Sequence, residues 1–159
     1  NVVTFQTFSK TSAMCGFRVG YAVGPKKLIK EASEVHNYVS IASPTLSQMM
    51  AVKALKIPNK YIEEMNKEYK RRRDFIIGKL NNLELPTCVP AGAFYAFSNI
   101  SKYGKNSSRF AEKLLKEAKV AVIPGTEFGP HGEGFVRCSF ATDYNLIVKA
   151  MKRMKKVLS

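Results

Sequence analysis

The sequence is poor in the residues that bind metals and close disulfides. Its 159 residues include three cysteines and two histidines, and no two cysteines show CxxC spacing or lie near a histidine in sequence. Protein zinc sites need such clusters, because several thiolate or imidazole ligands surround the ion. We therefore expect no metal site, and we expect Cys15, Cys88 and Cys138 to be buried, reduced thiols of a cytoplasmic protein.

Acidic residues and long apolar runs are also scarce. Only 12 Asp and Glu accompany 26 Lys and Arg, which gives a formal net charge of +14. Such a balance is typical of proteins that meet nucleic acid, an anionic surface or acidic ligands, or of a chain that lacks an acidic segment. No apolar run approaches the ~18 residues of a membrane span. The chain begins without Met inside the strand-like run NVVTF, so we expect it to be a piece of a longer protein.

Hydrophobic spacing predicts strands and then helices in the first 58 residues. The strands are NVVTFQTF and RVGYAVG, and the first helix covers residues 26–39. A second helix is predicted to start at Ser43, as its cap, and Pro44, and to run to about Lys56. The first helix is predicted to be amphipathic, with an apolar stripe of Leu28, Ala32, Val35 and Val39.

The rest of the chain predicts a long helix followed by short strands and two further helices. The long helix runs from about Ile62 to Leu80, and the last helix starts after Thr142 or Asp143. Between them we expect a helix capped by Ser107 or Ser108. The predicted strands are ELPTCV, AFYAFSN, VAVIPG and GFVRCSFA. The predicted buried stripe of the last helix is Leu146, Ile147, Ala150, Met151, Met154 and Leu158.

This mixture of elements predicts an α/β fold. The pattern changes near residues 57–70, where the long helix begins. We therefore expect residues 1–58 to be the tail of one domain and residues 59–159 to form a second, compact domain.

Two cations stand alone near the start of the chain. Lys10 and Arg18 are the only full charges among residues 1–25. An amine becomes nucleophilic when burial and a nearby positive charge lower its pKa, and an apolar loop beside an arginine would provide both. Arg18 has no acid near it in sequence, so we expect a bound anion, which guanidinium holds through parallel hydrogen bonds. Further donors are Thr7, Ser9 and Gly16.

A reactive lysine beside a phosphate site suits pyridoxal phosphate, which carries an aldehyde for the amine and a phosphate for the arginine. Arg137 is the other unusual cation, because it stands in the apolar run GFVRCSFA after a glycine-rich loop. A buried arginine without a partner would be costly. It therefore either pairs with Glu127 or Glu133 or binds a substrate carboxylate.

Four segments, taken together, resemble the class I and II aminotransferases of fold type I, in the aspartate aminotransferase group. They follow the family's order and cover nearly all of the chain: SKTSAMCGFRVGY, SPTLSQ, PAGAFYAF and VIPGTEFGPHGEGFVRCSFA. The resemblance implies that residues 1–58 are the tail of the cofactor-binding large domain with the interdomain helix. Residues 59–159 would then be the small C-terminal α/β domain. The family's acid for the pyridine nitrogen and its glycine-rich phosphate turn would lie before Asn1.

The resemblance also implies a role for each unusual residue. Lys10 matches the lysine that forms the Schiff base with pyridoxal phosphate and carries the proton. Arg18 matches the phosphate-binding arginine, Thr7 a phosphate-binding hydroxyl, and Arg137 the arginine that grips the substrate α-carboxylate. The implied activity is amino-group transfer between an amino acid and a 2-oxo acid by a cytoplasmic homodimer of amino-acid metabolism. No nucleic-acid or membrane partner is expected, and the 159-residue chain alone is expected to be inactive.

Two other activities stay open on the sequence. A β-lyase of the same fold would use the same lysine and both arginines. A basic nucleic-acid-binding module would account for the charge of +14, but it predicts clustered cations with interleaved aromatics. Here the cations are spread along helix faces and the aromatics lie in strands. The substrate side chain is not fixed, since dicarboxylic, aromatic and alanine-type donors all remain open.

Overall fold

The computed structural model describes residues 2–159, and Asn1, where the first predicted strand begins, lies outside the described residues. The chain divides into a first unit that ends at Glu64 and a second unit, Met65–Ser159. The division falls inside the long helix. The assignment of residues 1–58 and 59–159 to domains of a longer protein stays a prediction.

The first unit begins with a β-hairpin. Strand β1, Thr4–Thr7, pairs antiparallel with β2, Gly20–Val23, in a register that sets Thr7 opposite Gly20. Position 20 requires glycine, because a Cβ there would lie 2.5 Å from the Gln6 carbonyl oxygen. The hairpin is followed by the helices α1, Lys26–Ser40, α2, Thr45–Ala54, and α3, Asn59–Asn82.

The core of the first unit is small. Its buried apolar residues are Phe8, Met14, Val19 and Ala51. Helix α1 forms as predicted, but it buries none of its residues, including the apolar stripe of Leu28, Ala32, Val35 and Val39. The stripe is present in the sequence, but the described chain leaves it exposed. The predicted cap of α2 is wrong, because the N-cap residue is Pro44. Ser43 takes part only through its backbone carbonyl, which accepts a hydrogen bond from the Gln48 side chain.

The second unit contains the rest of α3 and a three-stranded antiparallel sheet. Its elements are β3, Tyr95–Asn99, α4, Ser107–Lys113, β4, Ile123–Pro124, β5, Phe135–Ser139, and α5, Tyr144–Leu158. Strand β5 lies in the middle of the order β3-β5-β4. In this register Arg137 has Phe97 on one side and Ile123 on the other. The α/β fold predicted from the sequence is confirmed.

Two local predictions in the second unit are wrong. ELPTCV forms only an isolated bridge, between Thr87 and Ser98. Glu84 has φ +54°, which is incompatible with an extended strand, and Pro86 has no N–H to donate to a ladder. Helix α4 is capped by Asn106, not by a serine, since the Asn106 side chain accepts from the Arg109 N–H at 2.8 Å.

Helix α5 buries one face against the core of the second unit. Ile147, Met151 and Met154 are buried, and Asp143 caps the helix by accepting from the Asn145 N–H at 2.8 Å. Leu146 is 55% exposed, so its predicted burial is wrong. It lies about 100° around the helix from Ile147, off the buried face.

The cysteines differ in exposure. Cys138 is buried, whereas Cys15 and Cys88 are exposed, so the predicted burial holds for one of the three. Within residues 2–159 no helix is both long and apolar enough to cross a bilayer. The same residues contain no group of three His, Cys, Asp or Glu side chains that could hold a metal ion.

Candidate functional site

The connection between β1 and β2 carries the first group of predicted site residues. The Phe8 N–H donates to the Val19 carbonyl at 3.3 Å, which extends the hairpin pairing beyond the strands. The Phe8 carbonyl accepts from the N–H groups of Ser12 and Met14, at 3.3 and 3.2 Å. The backbone of the connection is therefore folded on itself, and it fixes where Thr7, Lys10 and Arg18 lie.

Lys10 lies in the turn of this connection. Its carbonyl accepts from the Ala13 N–H at 3.2 Å, and its side chain is exposed. The predicted apolar burial of Lys10 is wrong for this chain. The apolar residues of the connection, Phe8, Met14 and Val19, are themselves buried in the small core, and they do not cover the lysine.

Arg18 follows the short 3₁₀ helix Cys15–Phe17 and has left-handed backbone angles, φ 50° and ψ 50°. Its Nη1 donates to the Cys15 carbonyl at 3.0 Å, which ties the side chain back to the turn. A guanidinium has five N–H donors. One is used in this bond, so the remaining donors of this exposed side chain can bind an anion.

Thr7 and Ser9 supply a pair of hydroxyls near Arg18. Thr7 Oγ1 donates to Ser9 Oγ at 2.9 Å and accepts from the Ser9 N–H at 3.2 Å. Because Thr7 pairs with Gly20, Thr7 and Arg18 lie at the same end of the hairpin. A cavity of about 220 Å³ lies beside Thr7 and Thr11. Neither Lys10 nor Arg18 lines this cavity, so it is not by itself the site that these two residues would form.

Arg137 lies in the second unit, on the central strand β5. Its Cζ lies 4.2 Å from the ring centre of Tyr95 and 4.5 Å from that of Phe128. Among residues 2–159 no carboxylate forms a salt bridge with it. Arg137 is half-buried, its guanidinium lies over two aromatic rings, and it has no acidic partner in the described chain.

Glu133, one of the two acids considered as partners of Arg137, accepts its hydrogen bonds from other residues. Glu133 Oε1 accepts from the Ser107 N–H at 2.7 Å and from the Gly134 N–H at 3.0 Å. These backbone hydrogen bonds, first that of Ser107, lower the pKa of Glu133. Glu127 is exposed and, among the described residues, forms no salt bridge with Arg137. The predicted pairing with either glutamate is wrong.

The loop before β5 is shaped by close backbone contact. A Cβ on Gly125 or on Gly132 would run into the backbone of the other residue, so both positions require glycine. The bonds of Glu133 join the end of this loop to the start of α4. Loop and helix together hold the strand that carries Arg137, and they place Phe128 over the guanidinium.

Sequence reasoning missed the two rings at Arg137. The signal was present in AFYAF, where Tyr95 and Phe97 alternate with small or buried residues, as expected for one face of a strand. For Phe128 there was no comparable signal, because only the folded loop brings it to Arg137. Two other cavities of the second unit, lined for example by Arg109 and by Met151, include none of the predicted site residues.

Comparison with known proteins identifies the family. The family model described as aminotransferase class I and II matches residues 1–154. The chain belongs to the class I and II aminotransferases. An aspartate aminotransferase of Pyrococcus abyssi is 46% identical over 158 residues, which are 98% of this chain and 41% of that protein. An aromatic-amino-acid aminotransferase of Thermococcus litoralis is 43% identical over 98% of this chain and 41% of its own length.

Solved structures agree with this assignment. The crystal structure of an aromatic aminotransferase from Pyrococcus horikoshii superposes with a TM-score of 0.93 and 46% identity, over 98% of this chain and 42% of that one. The neighbouring structures are aminotransferases of fold type I. This aminotransferase chain thus spans about two fifths of the length of the relatives it matches. Members of the family generally use pyridoxal phosphate.

The donor set of the hairpin fits that cofactor. It offers an exposed primary amine, an exposed guanidinium and two adjacent hydroxyls, and residues 1–25 contain no acid that would repel a phosphate. A phosphate needs hydrogen-bond donors and positive charge, and an aldehyde needs an amine. This aminotransferase chain has an amine, Lys10, and a positively charged donor, Arg18, within the connection between β1 and β2.

Proposed function

We propose that the protein containing this chain is a transaminase that moves an amino group between an amino acid and a 2-oxo acid with pyridoxal phosphate. The observation that carries the proposal is the β1–β2 connection, where Lys10, Arg18 and Thr7 lie on one folded backbone without an acid. The family membership supports the same conclusion. Dicarboxylic, aromatic and alanine-type donors all remain candidate substrates.

In this proposal the hairpin residues bind the cofactor. Arg18 directs its unused N–H groups to the phosphate, and the hydroxyl of Thr7 adds a neutral donor. Lys10 would hold the aldehyde end through its amine, and its Nζ, once the substrate amino group has displaced it, would move a proton at the substrate α-carbon. When bound, pyridoxal phosphate supplies the electron sink that makes this carbon acidic enough to lose its proton.

Arg137 binds the substrate carboxylate in this proposal. Its guanidinium has no salt bridge within residues 2–159, and the planar fork suits a carboxylate through two parallel hydrogen bonds. Its half-buried position strengthens the interaction compared with one in bulk water. A carboxylate on every amino acid and every 2-oxo acid gives one site for both substrates.

We also propose a cytoplasmic homodimer acting in amino-acid metabolism, with no nucleic-acid or membrane partner. Exposed apolar residues of the first unit support an oligomer, because such residues mark interfaces when they lie together. Examples are Tyr38, Val39, Ile41 and Leu46. The free cysteines support a reducing compartment. Light scattering of the full-length protein tests the dimer, since a monomeric mass would contradict it.

The activity is tested on the full-length protein with pyridoxal phosphate. We expect amino-group transfer from an amino acid to a 2-oxo acid, and borohydride reduction should attach the cofactor to Lys10 and to no other lysine. Peptide mapping gives the position. Lys10→Arg keeps the positive charge but removes the primary amine, so it should abolish both the attachment and the turnover. Attachment elsewhere, or ammonia release in place of transfer, would contradict the proposal.

A further inference from the structure

The Arg137 guanidinium is held by rings where an acid would be expected. Its Cζ lies within 4.5 Å of two ring centres, those of Tyr95 and Phe128. A guanidinium within about 6 Å of a ring centre is attracted to the ring face. A guanidinium has five N–H donors, and attraction to a ring uses its charge, so the group can still bind a planar carboxylate.

The two rings come from different elements. Tyr95 opens β3 and pairs with Ser139, two residues along β5 from Arg137, which is a diagonal neighbour within reach of a long side chain. Phe128 ends the 3₁₀ helix Gly125–Phe128. It also meets Phe97 edge-on, with 6.1 Å between ring centres. A strand and a loop therefore both limit where the Arg137 side chain can go.

We propose that Tyr95 and Phe128 are positioning residues that hold the Arg137 guanidinium in the orientation that binds the substrate carboxylate. The inference rests on the proposed function, since it takes Arg137 as the carboxylate-binding residue. An arginine side chain has many rotamers, and ordering it on binding costs affinity. The two rings order it beforehand. Losing a ring leaves the charge in place but lowers the fraction of molecules that are ready to bind.

The test is a double-mutant cycle in the full-length holoenzyme. Tyr95→Leu and Phe128→Leu should each raise the KM for the amino acid about twofold to thirtyfold, with kcat nearly unchanged. Tyr95→Phe and Phe128→Tyr keep a ring and should keep the KM.

In an Arg137→Ala background neither leucine variant should raise the KM further. Phe135→Leu is the matched control, because Phe135 stacks on Phe97 at 5.2 Å and is not one of the two rings over Arg137.

A second measurement does not depend on turnover. Calorimetric titration with 3-phenylpropionate, a carboxylate without an amino group, should give weaker binding to both leucine variants and unchanged binding to Phe135→Leu. Thermal melting identifies a variant that does not fold. Phe128→Leu then decides the question, because Phe128 is 49% exposed and its replacement disturbs little packing.

The outcomes separate the two proposals. A raised KM for Arg137→Ala with an unchanged KM for both leucine variants would overturn the positioning role and leave the proposed function standing. An unchanged KM for Arg137→Ala would overturn both. A ring effect that persists in the Arg137→Ala background would show that the rings act on the fold, and it would also overturn the positioning role.

Discussion

Thr87 Oγ1 and Ser98 Oγ lie 2.8 Å apart in the buried interior of the second unit. Thr87 Oγ1 also donates to the Leu85 carbonyl at 2.7 Å, so Ser98 is the donor between the two hydroxyls. This pair accompanies the single bridge that replaces the predicted strand ELPTCV. It joins that segment to β3 together with the Asn99 N–H, which donates to the Pro86 carbonyl at 2.9 Å.

Replacing these hydroxyls should lower stability unequally. Ser98→Ala should reduce the free energy of unfolding by about 1 kcal/mol, the usual net value of one hydrogen bond. Thr87→Val should cost more, about 1–3 kcal/mol, because it leaves both the Ser98 hydroxyl and the Leu85 carbonyl unpaired. Urea unfolding measures both values, and the reverse order would contradict the assigned donor.

Two apolar residues of α5, one fully buried and one exposed, give a second test. Met154 is 0% exposed and Leu146 is 55% exposed. Met154→Ala should cost about 2–5 kcal/mol, because it leaves a cavity in a packed core. Leu146→Ala, the matched control on the same helix, should cost about 0.5 kcal/mol or less. Equal losses in urea unfolding would show that Leu146 packs against a surface outside the described chain.

Glu68 predicts a pH dependence. Hydrogen bonds from Arg71 and then Arg72, at 2.9 and 2.7 Å, lower the pKa of Glu68 from its ordinary value of 4.5 to about 2. Because the pKa is lower in the folded state, the stabilisation is present above pH 4.5 and is lost as the pH falls towards 2. The group is exposed, so high salt should weaken the effect.

Carboxyl NMR titration measures this pKa directly. Arg72→Gln should raise the pKa of Glu68 towards 4.5. Arg73→Gln should leave it unchanged, because Arg73 bonds to Asp74, and it is therefore the matched control. A Glu68 pKa near 4.5 in the unaltered protein would show that the arginine contacts do not persist in solution.

The sequence predicted helices and strands better than it predicted which side chains are buried. Helix α5, the two strands β1 and β2 and the strand carrying Arg137 follow from residue spacing alone, because periodicity and turn residues are local. The burial of Leu146 and Lys10 was predicted wrongly, since burial depends on which other segments pack against a residue. The contact between Phe128 and Arg137 joins a loop to a strand nine residues later, and no local pattern encodes it.

The two arginines should separate in function in the full-length protein. Arg18→Ala should weaken retention of pyridoxal phosphate, whereas Arg137→Ala should keep the cofactor spectrum and raise the KM for the amino acid. Loss of a charge-assisted pair costs on the order of 2–5 kcal/mol, so both effects should be large. Cofactor titration and steady-state kinetics measure them. Equal cofactor loss from both variants would show that the roles are not divided.

The 159-residue chain on its own should show no transaminase activity and at best weak binding of pyridoxal phosphate. Lys10 and Arg18 are exposed on a two-stranded hairpin, so a cofactor held by this chain alone would be open to solvent. Absorbance titration with pyridoxal phosphate and a coupled assay test both expectations. A turnover comparable to that of the full-length protein would contradict the division of the site between this chain and the rest of the enzyme.

Because Cys138 is buried, its alkylation can be used to measure how often the second unit opens. Cys138 is 5% exposed, and desolvation raises the pKa of its thiol to about 12, so an alkylating reagent can react only when the sheet opens. Cys15 and Cys88 are exposed and should react at once. The rate at which the Cys138 peptide is labelled, followed by mass spectrometry and compared with the rate for an exposed thiol, therefore measures the free energy of that opening in the native protein.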